Sequence, residues 1–135
     1  MSYPAMKEAG VDVRLGTDGS ASNNSLDLRA EAKAASLVQR HDHWDARILG
    51  PEQTWDLATK GSQDWITWDL SDIRMRPFGR DGRRLLSNLI YSGAKVLDVF
   101  VGGEAVRRDG RTLTLDEDVV AEELEESVTE YYQDV

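Results

Sequence analysis

The sequence predicts an α/β protein, and three features predict it. Val11, Val13 and Leu15 alternate with Asp12 and Arg14, the period of a strand with one buried face. An alanine-rich apolar stripe then runs from Leu26 to Arg40 at helical spacing. Alternation returns over Asp64–Leu70, and apolar runs at 96–101 and 104–107 flank Gly102-Gly103, a hairpin signal.

The bulk numbers fit that class. At 135 residues, one domain is the prior, and a chain near ~150 residues buries about 68–70% of its unfolded surface. Hydrophobic residues make up 40% and charged residues 30%, the balance of a globular chain. The absence of cysteine excludes disulfides and thiolate zinc sites. A net charge of −9 argues against general nucleic-acid binding, because phosphates are repelled. No apolar run approaches the ~20 residues that span a bilayer, and the first residues lack a signal-peptide core. The expected setting is cytoplasmic, without membrane or nucleic-acid partners.

Taken in order, Pro4 to Ala9 reads as a short helix stopped by Gly10. A helix followed at once by a strand is half of a βαβ unit, so the chain reads as starting within an α/β repeat. The strand over 11–15 runs into Gly16, Thr17, Asp18 and Gly19, then a small-residue loop over 20–25. The helix from Leu26 to Arg40 takes Ser25 or Asn24 as N-cap. A connector spans His41–Leu49. Pro51 starts another helix with the stripe Trp55, Leu57 and Ala58, ended by Gly61.

A strand over 64–70 follows, then a polar, irregular stretch over 71–84 with Pro77, Gly79 and Gly82, and one or two helical turns over Leu85–Tyr91. Two strands flank Gly102-Gly103, and Asp109-Gly110 marks a second turn. The tail from Leu115 to Tyr132 is an acidic helix with Asp116 as N-cap and no basic side chain between Asp116 and Asp134. It reads as a solvated face.

Asp18 is the candidate site residue. It sits where a strand ends and a strand-to-helix loop begins, the end at which α/β sheets and barrels build sites. An aspartate there also serves as a turn former or N-cap. The glycines and serines around it leave room for a ligand to approach the carboxylate.

Other constellations read more plainly. His41-Asp42-His43 has the spacing of a metal pair but lies in a polar connector, where two exposed histidines are expected. A calcium loop from Asp18 fails because Arg29 stands where the twelfth-position glutamate belongs. Gly16 and Gly19 lack the Gly-Lys-Ser/Thr of a phosphate loop. Arg74, Arg76, Arg80, Arg83 and Arg84 are expected to pair with the protein's own carboxylates. Trp55, Trp65 and Trp68 are expected as packing anchors rather than a ligand cage.

The stretch Gly10-Val-Asp-Val-Arg-Leu-Gly-Thr-Asp-Gly-Ser-Ala-Ser-Asn-Asn-Ser-Leu-Asp-Leu closely resembles the last barrel strand of the amidohydrolase superfamily. The nearest branch is the chlorohydrolase and aminohydrolase group, which includes methylthioadenosine/S-adenosylhomocysteine deaminases. Leu37-Val-Gln-Arg, Gly50-Pro-Glu and Leu57-Ala-Thr-Lys-Gly resemble the two helices after that strand. Leu86-Ser-Asn-Leu-Ile-Tyr-Ser-Gly, Val99-Phe-Val-Gly-Gly-Glu and Asp109-Gly-Arg-Thr-Leu-Thr-Leu-Asp-Glu-Asp resemble the family's C-terminal segment, which completes a small β-sandwich.

The resemblance implies a metal-dependent hydrolase of non-peptide carbon–nitrogen bonds that deaminates a purine-like or other heterocyclic amine. In such enzymes one divalent metal, zinc or iron, lowers the pKa of a bound water to about 7, and the last-strand aspartate touches that water and shuttles its proton. By position that residue is Asp18, as both metal ligand and catalytic group. It implies the last strand and helices of a (β/α)8 barrel over residues 1–62. Residues 63–135 are then a remnant of a composite β-sandwich domain with a terminal helix.

The departures carry their own expectations. The family's other ligands are histidines on earlier strands, expected before residue 1, and His41-Asp42-His43 is not that pair. A full barrel takes roughly 250 residues, so most of it is outside this chain. Gln63 alone joins the segments 58–62 and 64–70, where the family carries a longer Gly-rich hairpin, so a barrel helix is expected close against a sandwich strand. The chain alone is therefore expected to be inactive and to hold no metal tightly. Its alternatives are one half of a split enzyme, completed by an N-terminal chain, or a non-catalytic dimeric interaction domain.

Overall fold

A computed structural model describes residues 2–133, with the side chain of Gln133 excepted. The chain forms two compact units. The first comprises Met1–Ser62 and Leu70–Ala94, and the second comprises Gln63–Asp69 and Lys95–Val135.

The first unit is helical. Helix α1 spans Tyr3–Glu8, with Ser2 Oγ accepting from the Ala5 N–H and proline in its first turn. Helix α2 is a single turn, Ser20–Asn23. Helix α3 spans Leu28–His43, α4 spans Pro51–Thr59 and α5 spans Gly82–Ser92. A 3-10 turn at Ile73–Met75 packs against α5.

Helices α3, α4 and α5 pack on one another pairwise. Between them lie Ala32, Leu49, Thr54, Met75, Leu89 and Ile90, all buried. Small residues on α3, Ala32 and Ser36, let the partner helices approach. Leu49 holds a left-handed backbone, φ 47°, which costs a non-glycine residue about 1–2 kcal/mol. Its surroundings over-determine it. The side chain is 2% exposed, and its carbonyl accepts from Ser36 Oγ at 2.9 Å, Arg40 Nη2 at 2.9 Å and Thr54 Oγ1 at 2.8 Å.

The second unit is one four-stranded antiparallel sheet followed by a helix. Strands β1 (Trp65–Trp68), β2 (Val96–Val101), β3 (Glu104–Arg108) and β4 (Arg111–Thr112) lie in chain order across it. Trp65 faces Phe100 across the β1–β2 ladder, and their rings stack at 3.7 Å. The Arg108 guanidinium lies 4.8 Å from the Phe100 ring centre, a cation–π contact. Asp98 accepts from Thr67 Oγ1 at 3.0 Å and from the Asp109 N–H at 3.1 Å, tying β1 and the β3–β4 turn to β2. Helix α6 spans Glu117–Gln133. Asp116 caps it, accepting from the Asp118 N–H at 3.1 Å.

Several expectations need correcting. Residues 11–15 alternate in burial, with Val13 and Leu15 half-buried and Asp12 and Arg14 exposed, but they carry no regular secondary structure and form no strand. A strand is defined by its ladder, and no other segment among the described residues pairs with this one. Its backbone bonds run instead to helices, from the Val11 N–H to the Met6 carbonyl and from the Leu15 N–H to the Leu57 carbonyl. The last strand of a barrel is therefore not formed as a strand here. The loop over 20–25 contains the α2 turn. Helix α3 is capped by Asp27, whose Oδ1 accepts from the Arg29 and Ala30 N–H groups, rather than by Ser25 or Asn24. It also continues through His43, so both histidines are helical. The short turns over 85–91 are an eleven-residue helix starting at Gly82, with Asp81 as its N-cap.

Candidate functional site

Asp18 lies between residues 11–15 and α2. Gly19 is the N-cap of α2, and its backbone N–H donates to Asp18 Oδ1 at 2.7 Å. Asp18 is exposed and has φ 58°. Aspartate tolerates that left-handed region better than most residues, because its short side chain can bond locally. The flanking Gly16, Gly19, Ser20, Ala21 and Ser22 are exposed too, so the carboxylate opens onto solvent beside small side chains.

The loop is pinned from behind. Asn23 Nδ2 donates to the Thr17 carbonyl at 3.0 Å and to Glu31 Oε1 at 2.7 Å. Asn24 follows with φ 58°, closing α2 by an N–H bond to the Ser20 carbonyl. Asn23 and Glu31 went unremarked in the sequence. Their only local signal is an asparagine in a small-residue loop and an acidic residue in the first turn of the next helix.

The remaining candidates fall elsewhere. His41 and His43 occupy the last turn of α3. Two residues apart on a helix point roughly 200° away from each other, so the pair does not converge on one ion. His41 sits 5.7 Å from the Trp44 ring, and His43 Nε2 lies 3.1 Å from Ser2 Oγ. Arg74 pairs with Asp72 at 2.6 Å and Arg83 with Glu52 at 3.0 Å, while Arg76 lies over Phe78. Of the tryptophans, Trp65 stacks on Phe100 and Trp55 and Trp68 are half-buried.

The carboxyls with lowered pKa values are held down by neighbouring hydrogen-bond donors. Arg47 holds the Asp45 carboxyl down to about 2 through side-chain and backbone hydrogen bonds. Lys60, at 2.9 Å, and Arg14 lower that of Asp12. Asp12 and Lys60 line a cleft of about 500 Å³ together with Tyr3, Lys7, Val13, Gln53, Leu57 and neighbours. Asp18 is not among its walls. Arg14 Nη1 also donates to the Lys60 carbonyl.

A catalytic zinc takes three protein ligands and a structural one takes four. Among the described residues no three His, Asp, Glu or Cys side chains converge in a metal-sized cluster. Glu31, which Asp18 reaches only through Asn23 and Thr17, is itself engaged. The described residues therefore do not by themselves make up a complete metal site.

No family model matches the sequence. Curated relatives do. The 5-methylthioadenosine/S-adenosylhomocysteine deaminase of Bacillus thuringiensis (strain Al Hakam) is 37% identical over 133 residues, covering 84% of this chain. The enzyme of the same name from Bacillus cytotoxicus is 36% identical over 130 residues, again covering 84%. A crystal structure of an adenosine deaminase from Xanthomonas campestris, with bound zinc, matches at a TM-score of 0.79 and 26% identity over 90% of the chain.

The chain is a relative of the amidohydrolase-type deaminases.

It spans about 30% of the length of the curated deaminases it matches and 31% of the zinc-bound structure. The expected resemblance therefore holds for part of those proteins. The deaminase match carries the mixed α/β class with a small antiparallel sheet. As for a membrane, no helix among the described residues is long and apolar enough to cross one.

Proposed function

We propose that this chain is the Asp18-bearing C-terminal part of a metal-dependent deaminase acting on a purine-like amine, and that it does not hold the metal by itself. The observation that carries the reading is the 37% identity to such deaminases over 84% of the chain. Asp18 suits the part: its carboxylate is exposed, flanked by glycine, alanine and serine, and engaged only by its neighbour's N–H among the bonds of the described residues.

Asp18 is the ligand and catalytic carboxylate offered to the site, and the imidazole ligands come from outside these residues, within a longer chain or from a complementary one. The substrate is a small heterocyclic amine such as an adenosine derivative, the setting is cytoplasmic, and the metal is zinc or iron. The two barrel and sandwich segments divide near residue 62.

The test is a metal and activity assay on the purified 135-residue chain. Elemental analysis is expected to give well under one zinc or iron per chain, with no ammonia released from adenosine or 5-methylthioadenosine. Adding a complementary chain that carries the histidines is expected to restore both, and Asp18→Asn to abolish the restored turnover. Stoichiometric metal on the lone chain, or full turnover by the Asp18→Asn mixture, overturns the reading.

A further inference from the structure

The carboxylate of Asp18 owes its direction to a backbone that few residues adopt. With φ at 58°, the chain reverses between Thr17 and Gly19, and Asp18 Oδ1 is left facing the Gly19 N–H at 2.7 Å. That bond spans one residue and cannot by itself hold the loop against the rest of the unit. What reaches further is the amide of Asn23.

The Nδ2 group of Asn23 has two N–H donors, and both are used. One goes back to the Thr17 carbonyl at 3.0 Å, the peptide immediately before Asp18. The other goes forward to Glu31 Oε1 at 2.7 Å, on the first turn of α3. The second is charge-assisted and short, the stronger class of hydrogen bond. Asn23 and Glu31 are both half-buried, whereas Asp18 itself is exposed. Helix α3 packs on both α4 and α5 and is anchored by buried Ala32 and Ser36. The sequence of contacts therefore runs from the packed helix to Glu31, through Asn23, to the peptide that sets the backbone at Asp18.

We propose that Glu31, acting through Asn23, is the positioning residue of the Asp18 loop: it transmits the rigidity of α3 to the Thr17 peptide and so keeps the Asp18 carboxylate turned outward. This deepens the deaminase reading of Asp18 and rests on it for its functional meaning. The geometric part is testable without metal, substrate or a second chain, so the two fail separately.

The experiment uses the isotopically labelled full chain and compares wild type, Glu31→Ala, Glu31→Gln and Asn23→Ala by amide hydrogen exchange and NMR chemical shift. Glutamine keeps an acceptor oxygen in the place of Oε1, and alanine removes it. Glu31→Ala is expected to speed exchange of the Gly19–Asn24 amides about tenfold, the loss of a hydrogen bond to a charged group, with the amides of α5 unchanged. Its Asp18 Cα and Cβ shifts move away from their left-handed values, and the Asn23 side-chain amide protons move upfield. Glu31→Gln is expected to keep loop exchange within about twofold of wild type. Asn23→Ala reproduces the Glu31→Ala loop behaviour, and serves if Glu31→Ala fails to fold. Unchanged Asp18 shifts in both alanine variants, or a loop as loose in Glu31→Gln as in Glu31→Ala, overturns the assignment.

Discussion

Residues 11–15 and residues 96–101 carry the same message in sequence, apolar side chains alternating or running through a β-rich stretch, yet only the second becomes a strand. Val96–Val101 has neighbours on both sides, β1 and β3, joined to it by a two-glycine turn and a ladder. Residues 11–15 keep the alternation, with Val13 and Leu15 half-buried, but bond to helices at Met6 and Leu57 instead. Period-two alternation says that a segment is extended with one covered face. Pairing is a property of what lies beside it.

The comparison breaks most visibly at Phe100. It is 9% exposed, stacked on Trp65 across the ladder, with Arg108 over its ring. Phe100→Ala is expected to cost about 3–5 kcal/mol, read as a lower urea midpoint and as loss of exchange protection through β2 and β3. Thr67→Val removes the hydroxyl that both donates to Asp98 Oδ2 and accepts from the Asp98 N–H. It is expected to cost about 1 kcal/mol in the same measurement. In the unpaired segment Val11 is 52% exposed, and Val11→Ala is expected to change stability by no more than about 0.5 kcal/mol. Amides 12–14 are expected to exchange near the unprotected rate while those inside β2 are slow. Slow exchange at 12–14 would mean that this segment is paired in solution, and the contrast would disappear.

A smaller effect separates the two regions by their charges. Asp12 is lowered by hydrogen bonds from Lys60 and then Arg14, both on the surface. Asp98 is lowered by the Asp109 N–H and then Thr67, within the sheet. A carboxyl whose folded pKa lies below its unfolded value stabilises the fold above the unfolded pKa, and loses that contribution as pH falls through the folded one. For Asp45 that window runs from 3.8 down to about 2. Urea midpoints are expected to hold from pH 7 to pH 5 and to drop below pH 4. High salt screens exposed ion pairs, so 1 M sodium chloride, on the order of a 3 Å screening length, is expected to shrink the effect of Asp12→Asn and leave that of Asp98→Asn in place.

Much of this was legible in the chain. The hairpin at Gly102-Gly103, the turn at Asp109-Gly110, the Pro51 helix and the Asp116-capped acidic helix all lie where local turn and cap chemistry put them. The deaminase resemblance rested on motifs spread along the sequence and is matched by relatives over 84% of it. Asp18 was singled out as a candidate from its place after an alternating run. Asn23 and Glu31 were not, because the hydrogen bond between them spans eight residues and depends on how α2 turns. The end of α3 was missed too: nothing in His41-Asp42-His43 forbids helix, and the helix runs on to the left-handed Trp44.

By itself the sequence determined part of the local conformation: the helices begun by Pro4, Pro51 and Asp116, and the tight turns at Gly102-Gly103 and Asp109-Gly110. These depend on neighbours within a turn or two, whose geometry is set by bond rotations and short hydrogen bonds. The tertiary structure alone decided that residues 11–15 stay unpaired, that Leu49 is held in a left-handed backbone by three donors, and that Glu31 braces the Asp18 loop. Each of those needs a partner contributed by a different part of the fold, and no local propensity encodes where that partner will be.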